Sequence, residues 1–289
     1  MIFDGMDSFL AAHAAEFQAR PAALVFAEDA VELASTLQHL ANLGFGRIGV
    51  LCDDLLVWPE GAPERAHRIR CDIFQDEALI LAVNRMIAAA PGAWLHYCYN
   101  GEYLHYPFCE SRSVLDVTTF QSEERRDTIV TPVVDLYAAD TQRNPDGVCR
   151  KTAMLDRIGY YALERGDPLK NWEPKPRQVD LFGGLRWRFE EHVPWTRRRI
   201  DRVSLFRAVP GLALREDHTF TIEEYNTLNC PWHHNLSGAV CSFRTAKALR
   251  INPGSREAIG SFTWAHSVPF EWSSRQLMEL GLMEPGQWF

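Results

Sequence analysis

The sequence predicts an α/β protein: a mixed, mainly parallel sheet with helices on both faces, followed by a C-terminal extension. Three observations predict it. Short apolar runs alternate with segments of helical periodicity over roughly the first hundred residues, the pattern of parallel strands joined by crossover helices. The runs are closed by Gly, Pro or acidic residues, which break strands and helices for separate physical reasons. The chain of 289 residues, 46% hydrophobic and 24% charged, is long enough for one large α/β domain with a sizeable core.

Residues 1–20 predict a short amphipathic helix through Phe3, Met6, Phe9, Leu10, His13 and Phe17, ended by Pro21. Ala22 to Ala27 reads as a buried strand with Glu28-Asp29 at its tip. Residues 30–43 are apolar at helical spacing, and Gly44 is the expected C-terminal stop. Arg47 to Cys52 is a second strand, closed by Asp53-Asp54, and Ile69 to Phe74 a third. Residues 76–90 predict a helix stopped by Pro91-Gly92, and 93–98 a fourth strand leading into Tyr99-Asn100-Gly101-Glu102. Further on, 114–127 predicts a polar helix and Ile129 to Ala138 a single buried strand containing Asp135. Residues 140–180 predict a long irregular excursion. Alternation of Leu185, Trp187 and Phe189 with Arg186 and Arg188 predicts a half-buried strand. Val203 to Arg207 and Leu212 to Leu214 predict short strands, 237–250 a strand entering a helix, and the last thirty residues two short helices. No repeat, low-complexity segment or linker divides the chain. It is read as one domain, 1–289: an N-terminal helix (1–20), a first half (21–140), a second half (141–250) and a C-terminal helical extension (251–289).

A net charge of −8 argues against a general nucleic-acid binder. Arg197-Arg198-Arg199 with Arg202 is the local exception, read either as a face ion-paired to Glu190 and Glu191 or as an anion site for phosphate or an anionic lipid surface. No apolar run reaches the roughly 18–20 residues that cross a bilayer. Asp4 and Asp7 precede the first arginine, unlike a secretory signal. The seven cysteines (52, 71, 98, 109, 149, 230, 241) are scattered and read as buried free thiols. The expectation is a cytoplasmic protein without a transmembrane segment, for which peripheral membrane contact stays open.

In a parallel sheet the strand tips share one rim. Here Glu28-Asp29, Asp53-Asp54 and Asn100-Gly101-Glu102 would gather there, an oxygen-rich set suited to a sugar, a ribose or a metal. The competing reading makes Asp29 and Asp53 or Asp54 helix N-caps.

The stretch Tyr99-Asn100-Gly101-Glu102-Tyr103-Leu104-His105-Tyr106-Pro107 resembles the Asp-x-Asp-Glu-Phe-Leu-x-Tyr-Pro segment of a bacterial glycosyltransferase family 2-like group. Further matches keep the family order over roughly residues 22–250. They are Ala27-Glu28, Leu43-Gly44-Phe45, Asp53-Asp54, Val134-Asp135-Leu136-Tyr137, Gly183-Gly184-Leu185-Arg186-Trp187-Arg188 and Ser237-Gly238-Ala239-Val240-Cys241-Ser242-Phe243-Arg244. The resemblance implies a GT-A-like, Rossmann-type fold, with 21–140 as its nucleotide-binding half and 141–250 as its acceptor-side half. It implies transfer of a sugar from a nucleotide-sugar donor to a hydroxyl of a glycan or lipid-linked acceptor. It assigns donor binding to Glu28, Asp29, Asp53, Asp54, Asn100, Glu102, Arg186 and Arg188, and makes Glu190, Glu191 or Asp135 the general base. The family's two metal-ligating positions fall on Gly101 and Ser242. Mn²⁺ and Mg²⁺ need hard oxygen ligands, so the resemblance implies a degenerate motif without metal, in which Arg186, Arg188 and Arg244 offset the diphosphate charge. The rival reading is a non-catalytic sugar- or nucleotide-binding protein in polysaccharide assembly.

A second constellation, Cys230-Pro231-Trp232-His233-His234 with Cys241 downstream, reads as a zinc site or as a packed loop whose Trp232 or His233 stacks on a sugar. It also admits a third reading, a small-molecule enzyme using Cys230, His233 and His234. His218 reads as a turn histidine or a family match, and His105 as lining a pocket mouth.

Overall fold

The structure, a computed structural model, describes residues 1–228 and 235–288. The chain divides into two units, Met1–Tyr103 with Phe108–Val130 and Val203–Asn226, and Leu104–Pro107 with Thr131–Arg202 and Thr227–Phe289.

In the first unit the elements are β1 (Ile2–Phe3), α1 (Met6–His13), β2 (Ala22–Phe26), α2 (Leu33–Leu43), β3 (Arg47–Cys52), β4 (Ala66–Arg70), α3 (Ala78–Ala89) and β5 (Trp94–Tyr99). The chain passes into the second unit within β6 (Glu102–His105) and returns for α4 (Val114–Glu123) and β7 (Thr128–Ile129). A later return adds β13 (Leu205–Arg207). The seven strands order as β1-β4-β3-β2-β5-β13-β7. The first five run parallel, and β13 lies antiparallel between β5 and β7. All five residues of β2, Ala-Ala-Leu-Val-Phe, are buried, as expected of a central strand covered on both faces. Gly49 in β3 leaves room for the packing of α1: a Cβ there would stand 2.8 Å from Ile69 Cδ1 and 3.1 Å from Phe9 Cε1. Gly44 ends α2 as the sequence predicts. At φ 93° it donates to Ala41 O while Phe45 N reaches back to Leu40 O at 3.3 Å, so the last carbonyls of the helix are satisfied. Ser113 and Asp116 form a reciprocal capping box on α4.

Three expectations are corrected here. Residues 2–3 pair with β4 instead of starting the first helix. The third strand is Ala66–Arg70 rather than 69–74, and Phe74 is exposed. The single strand expected over 129–138 is three: β7, β8 (Val133–Asp135) and β9 (Tyr137–Ala138). Pro132, which has no N–H to give a ladder, marks the break between β7 and β8.

The second unit contains β8, β9, β10 (Ala153–Asp156), β11 (Tyr161–Asp167), β12 (Glu173–Phe182), α5 (Gly184–Arg188), β14 (Ala239–Ser242), α6 (Arg244–Ile251), α7 (Pro253–Ala258), β15 (Ser267–Pro269) and α8 (Ser274–Glu279). β14 runs parallel to β8 in a sheet ordered β6-β14-β8. β15-β10-β9 is antiparallel, and β11-β12 is a separate hairpin. The 140–180 excursion therefore contains β10, β11 and most of β12. The expected strand over 185–189 is instead the one-turn helix α5 running into a 3₁₀ turn. Its two arginines are each drawn to a buried aspartate, and that tertiary demand overrides the alternating pattern. Tyr137, Leu185, Ala246, Leu249, Ile259 and Phe262 form an apolar core of this unit. Its last thirty residues hold α8 and β15 rather than two helices. No helix among the described residues is long and apolar enough to cross a membrane.

Candidate functional site: the switch point of the parallel sheet

From β2 the sheet grows outward through β3 to β4 on one side, and the next strand, β5, joins on the other side of β2. The order of connection therefore reverses between β2 and β5. In open α/β sheets, ligands bind outside the carboxyl ends of the strands at such a point, because the connections diverge there and leave a crevice. β3, β2 and β5 are parallel neighbours, so Asp53-Asp54, Glu28-Asp29 and Asn100-Gly101-Glu102 do lie on one rim.

The rim is built around Asn100, which is completely buried. Its Oδ1 accepts from Glu28 N–H at 2.9 Å, and its Nδ2 donates to Asp29 Oδ1 at 2.7 Å and to Val31 O at 2.9 Å. One amide thus ties the tip of β5 to the tip of β2. Gly101 turns the chain at φ 73° and donates to Thr36 Oγ1 at 2.9 Å, which fastens the same turn to the first residues of α2. Tyr103 Oη donates to Glu32 Oε2 at 3.0 Å and lies 2.7 Å from Ser35 Oγ. Glu102, also completely buried, accepts from Tyr99 N–H at 2.9 Å. Asp29 Oδ1 also accepts from Val31 N–H at 2.9 Å, closing a turn before α2 rather than capping it, since the residue preceding the helix is Glu32. Asp53 closes a similar turn with Leu55 N–H at 2.7 Å, with no helix following, and remains exposed. Asp54 pairs with Arg70 Nε at 2.8 Å, and Arg70 also binds Asp4.

Gly101 has no side-chain ligand, and the buried Asn100 and Glu102 are engaged with the chain itself. Ser242, in β14 of the second unit, is buried and accepts from Arg244 N–H at 3.2 Å. No group of three His, Cys, Asp or Glu among the described residues is placed to hold a metal. A cavity of about 560 Å³ lies at the opposite, amino ends of the strands, lined by Glu16, Arg20, Arg47, Glu64 and Arg65.

The remaining predicted residues lie in the second unit. Asp135, on β8, is buried, and burial raises its carboxyl above the usual range against the opposing pull of Arg186. Its Oδ2 accepts from Arg186 N–H at 3.3 Å, and its Oδ1 stands 3.6 Å from Arg186 Nε without a hydrogen bond. Arg186 also donates to Thr245 Oγ1 at 3.1 Å and Arg199 O at 2.8 Å. Arg188 binds the buried Asp156 at 3.0 and 3.1 Å, an aspartate that also receives Trp264 Nε1 at 2.7 Å and the Tyr137 hydroxyl. The hydroxyl of Tyr160 is buried and makes no hydrogen bond, and burial with Asp156 and Asp135 nearby raises its pKa. Glycines admit this arrangement: a Cβ on Gly183 would meet the Tyr160 ring at 2.2 Å, and one on Gly184, at φ 63°, would meet Asp135 Oδ2 at 2.8 Å. Sequence reading missed Asp156 and Tyr160. The available signal was an aspartate closing the apolar run Ala153-Met154-Leu155.

Arg186 and Arg188 are thus committed to buried carboxylates, not displayed. Glu190 pairs with Arg198 at 2.9 Å and Glu191 lies near His192 at 3.8 Å, both well exposed. The basic run follows its ion-paired reading in part: Arg198 meets the expected Glu190, whereas Arg199 pairs with Asp180 and Asp201. His105 is buried edge-on against Phe270 at 5.5 Å instead of lining a mouth. His218 is a turn residue at φ 62° stacked on Tyr97. Cys230, Trp232, His233 and His234 lie outside the described residues. No family model matches the chain, and no curated protein matches it.

Proposed function

We propose that the protein is a GT-A-like glycosyltransferase relative that binds a nucleotide sugar at the switch-point rim and transfers the sugar, without a divalent metal, to a hydroxyl of a glycan or lipid-linked acceptor. One observation carries this reading: the reversal of strand order between β2 and β5, with carboxylates at the ends of β2 and β3 beside it. A ribose presents vicinal hydroxyls, which a carboxylate at a strand tip accepts. Asp53 is suited to this, since one oxygen holds the turn to Leu55 while the residue stays exposed.

A second reading, a non-catalytic nucleotide-sugar binder, is favoured by the commitment of Arg186 and Arg188 to Asp135 and Asp156, which removes two of the cations that would offset a departing diphosphate. Among the three proposed bases, Asp135 has the environment of a proton-handling group, because burial raises its pKa; Glu190 and Glu191 are solvated.

Calorimetric titration with uridine, guanosine and cytidine diphosphates and their sugars, with and without Mn²⁺, tests both readings. The expected result is binding of one nucleotide class, unchanged by Mn²⁺ and weakened about tenfold, some 1.4 kcal/mol, by Asp53→Ala. No binding by any nucleotide would end the reading. Release of free nucleotide from the bound sugar donor separates transferase from binder.

A further inference from the structure

We propose that residues 1–20 are an acid-sensitive latch: charging the imidazole pair buried between α1 and β4 frees the segment from the sheet. The latch names no residue proposed for nucleotide binding and does not depend on that reading.

The segment is held mainly by packing. Met6, Phe9, Leu10 and Phe17 are buried. β1 adds two residues on the edge of β4, Ile2 opposite Arg68 and Phe3 opposite Ile69. Three ion pairs tie the segment to the body: Asp4 to Arg70, Asp7 to Arg85 at 3.8 Å and Glu16 to Arg47 at 2.8 Å. All three reach solvent, where ion pairs contribute little.

Two imidazoles sit within that packing. His13 and His67 are buried and stacked, with centroids 4.8 Å apart. Phe3 meets them edge-on at 5.5 and 5.9 Å, and Phe9 lies 5.3 Å from His13. Neither ring nitrogen of His67 has a hydrogen-bond partner, nor has Nε2 of His13. Nδ1 of His13 stands 3.1 Å from Glu16 Oε1 and 3.3 Å from Arg47 Nε. Neutral imidazoles fit an apolar layer of this kind as flat rings. A charged His67 finds no acceptor there.

The charges around His67 do not offset a proton. His13, the amino terminus ahead of β1 and Arg47 of β3 oppose it, and Glu16, beyond the end of α1, favours it. Burial is the largest influence, and the pKa falls from 6.5 to about 4. Away from the sheet the imidazole takes its proton at the ordinary value, so release binds a proton and acid favours release. An eight-residue helix does not persist alone, so a freed α1 unwinds. Release also uncovers the edge of β4 and takes Glu16, Phe17 and Arg20 from one side of the cavity of about 560 Å³. β2, β3 and β5 stay paired with one another, so the opening is local.

Hydrogen–deuterium exchange of the full chain at pH 7 and pH 4.5 tests this, with labelling times scaled to the intrinsic exchange rate. The fall of the His67 pKa makes the open form of α1 about 50-fold more populated at pH 4.5 than at pH 7, while β2 and β5 keep their protection. His67→Phe should leave α1 protected at both values. Asp4→Asn combined with Asp7→Asn should leave the pH dependence in place, and its loss there would assign the effect to the ion pairs and overturn the proposal. The imidazole proton resonances of wild type give a readout that needs no variant: His67 should be neutral at pH 5.5 in the folded chain, and a charged His67 would overturn the latch. So would equal scaled exchange of α1 at the two pH values, or a pH dependence that survives His67→Phe. Loss of protection in β2 together with α1 would make the event an opening of the whole unit, and would overturn it as well.

Discussion

Asn100 shows how much one side chain can organise. Its amide satisfies Glu28 N–H, Asp29 Oδ1 and Val31 O in a site without solvent, so removing it leaves buried polar groups unpaired instead of merely deleting contacts. Asn100→Ala is therefore expected to lower stability by about 2–4 kcal/mol, measured by urea unfolding. Asn100→Asp should also destabilise, by setting a carboxylate against Asp29, and should do so less at acidic pH, where a shared proton relieves the repulsion. A change below about 0.5 kcal/mol for both would show that the clip is dispensable. The presence of Asn100 on the rim was legible from its place after an apolar run. Its role was not, because a polar residue after a strand looks the same whether it faces a ligand or the neighbouring strand tip. The same ambiguity hid the commitment of Arg186 and Arg188: spacing showed two basic side chains, but not the aspartates, 32 residues or more away in sequence, that bind them.

Elements were legible where the local pattern and the tertiary demand agree. Arg47 to Cys52 is a strand at the expected bounds, and α2 ends at the expected glycine. They were not where a long-range partner decides: α5 has a strand's alternation and is a helix because Asp135 and Asp156 claim its arginines. The packing of α1 on β4 is a further case, with a measurable consequence. His13 of α1 stacks on His67 of β4 with ring centroids 4.8 Å apart and planes 13° from parallel, beside Phe3 and Phe9. Neither nitrogen of His67 has a hydrogen-bond partner. Burial pushes the His67 pKa from 6.5 down to about 4, assisted by His13, the chain's amino terminus and Arg47 and opposed by Glu16. Between these two values the unfolded chain holds a proton that the folded chain does not, so stability falls as pH falls from 6.5 toward 4. The loss from this group is at most about 3 kcal/mol. His67→Phe should flatten urea-unfolding stability across pH 6.5 to 4.5 relative to wild type, while leaving it close to wild type at pH 8. An unchanged pH slope in the variant would remove His67 as its source.

At the scale of the whole chain, neither unit is a contiguous segment, and the first depends on residues that follow most of the second in sequence. β13 is inserted between β5 and β7, pairing Leu205 with both His96 and Ile129. Ser204 O receives Tyr97 N–H at 3.1 Å and lies 2.9 Å from His96 Nδ1, and Ala208 O receives Gly92 N–H at 2.6 Å. Among the described residues, β7 has no other neighbour in the sheet than β13. Phe206 is buried between Tyr97 and Phe220, with centroids 6.4 and 4.7 Å away. Sequence could mark 203–207 as a strand but not its place, since pairing across this separation leaves no local trace and the chain must close a long loop to reach it. A chain ending at Arg202 would leave β5 with an open edge and β7 with no partner, while Tyr97 and Leu95 lose cover. Such a fragment is expected to aggregate, or to bind a hydrophobic dye and unfold without a cooperative transition, although it keeps every rim residue proposed for nucleotide binding. In the full chain, Phe206→Ala should cost about 3–5 kcal/mol by the same logic on a smaller scale. Adding residues 203–289 as a separate peptide should restore solubility and cooperative unfolding to the fragment, and 227–289 alone, which supplies only the missing part of the second unit, should not. A fragment that is soluble, monomeric and cooperative without the peptide would show that the sheet closes at β5, and that β13 is an addition to the first unit rather than part of its core.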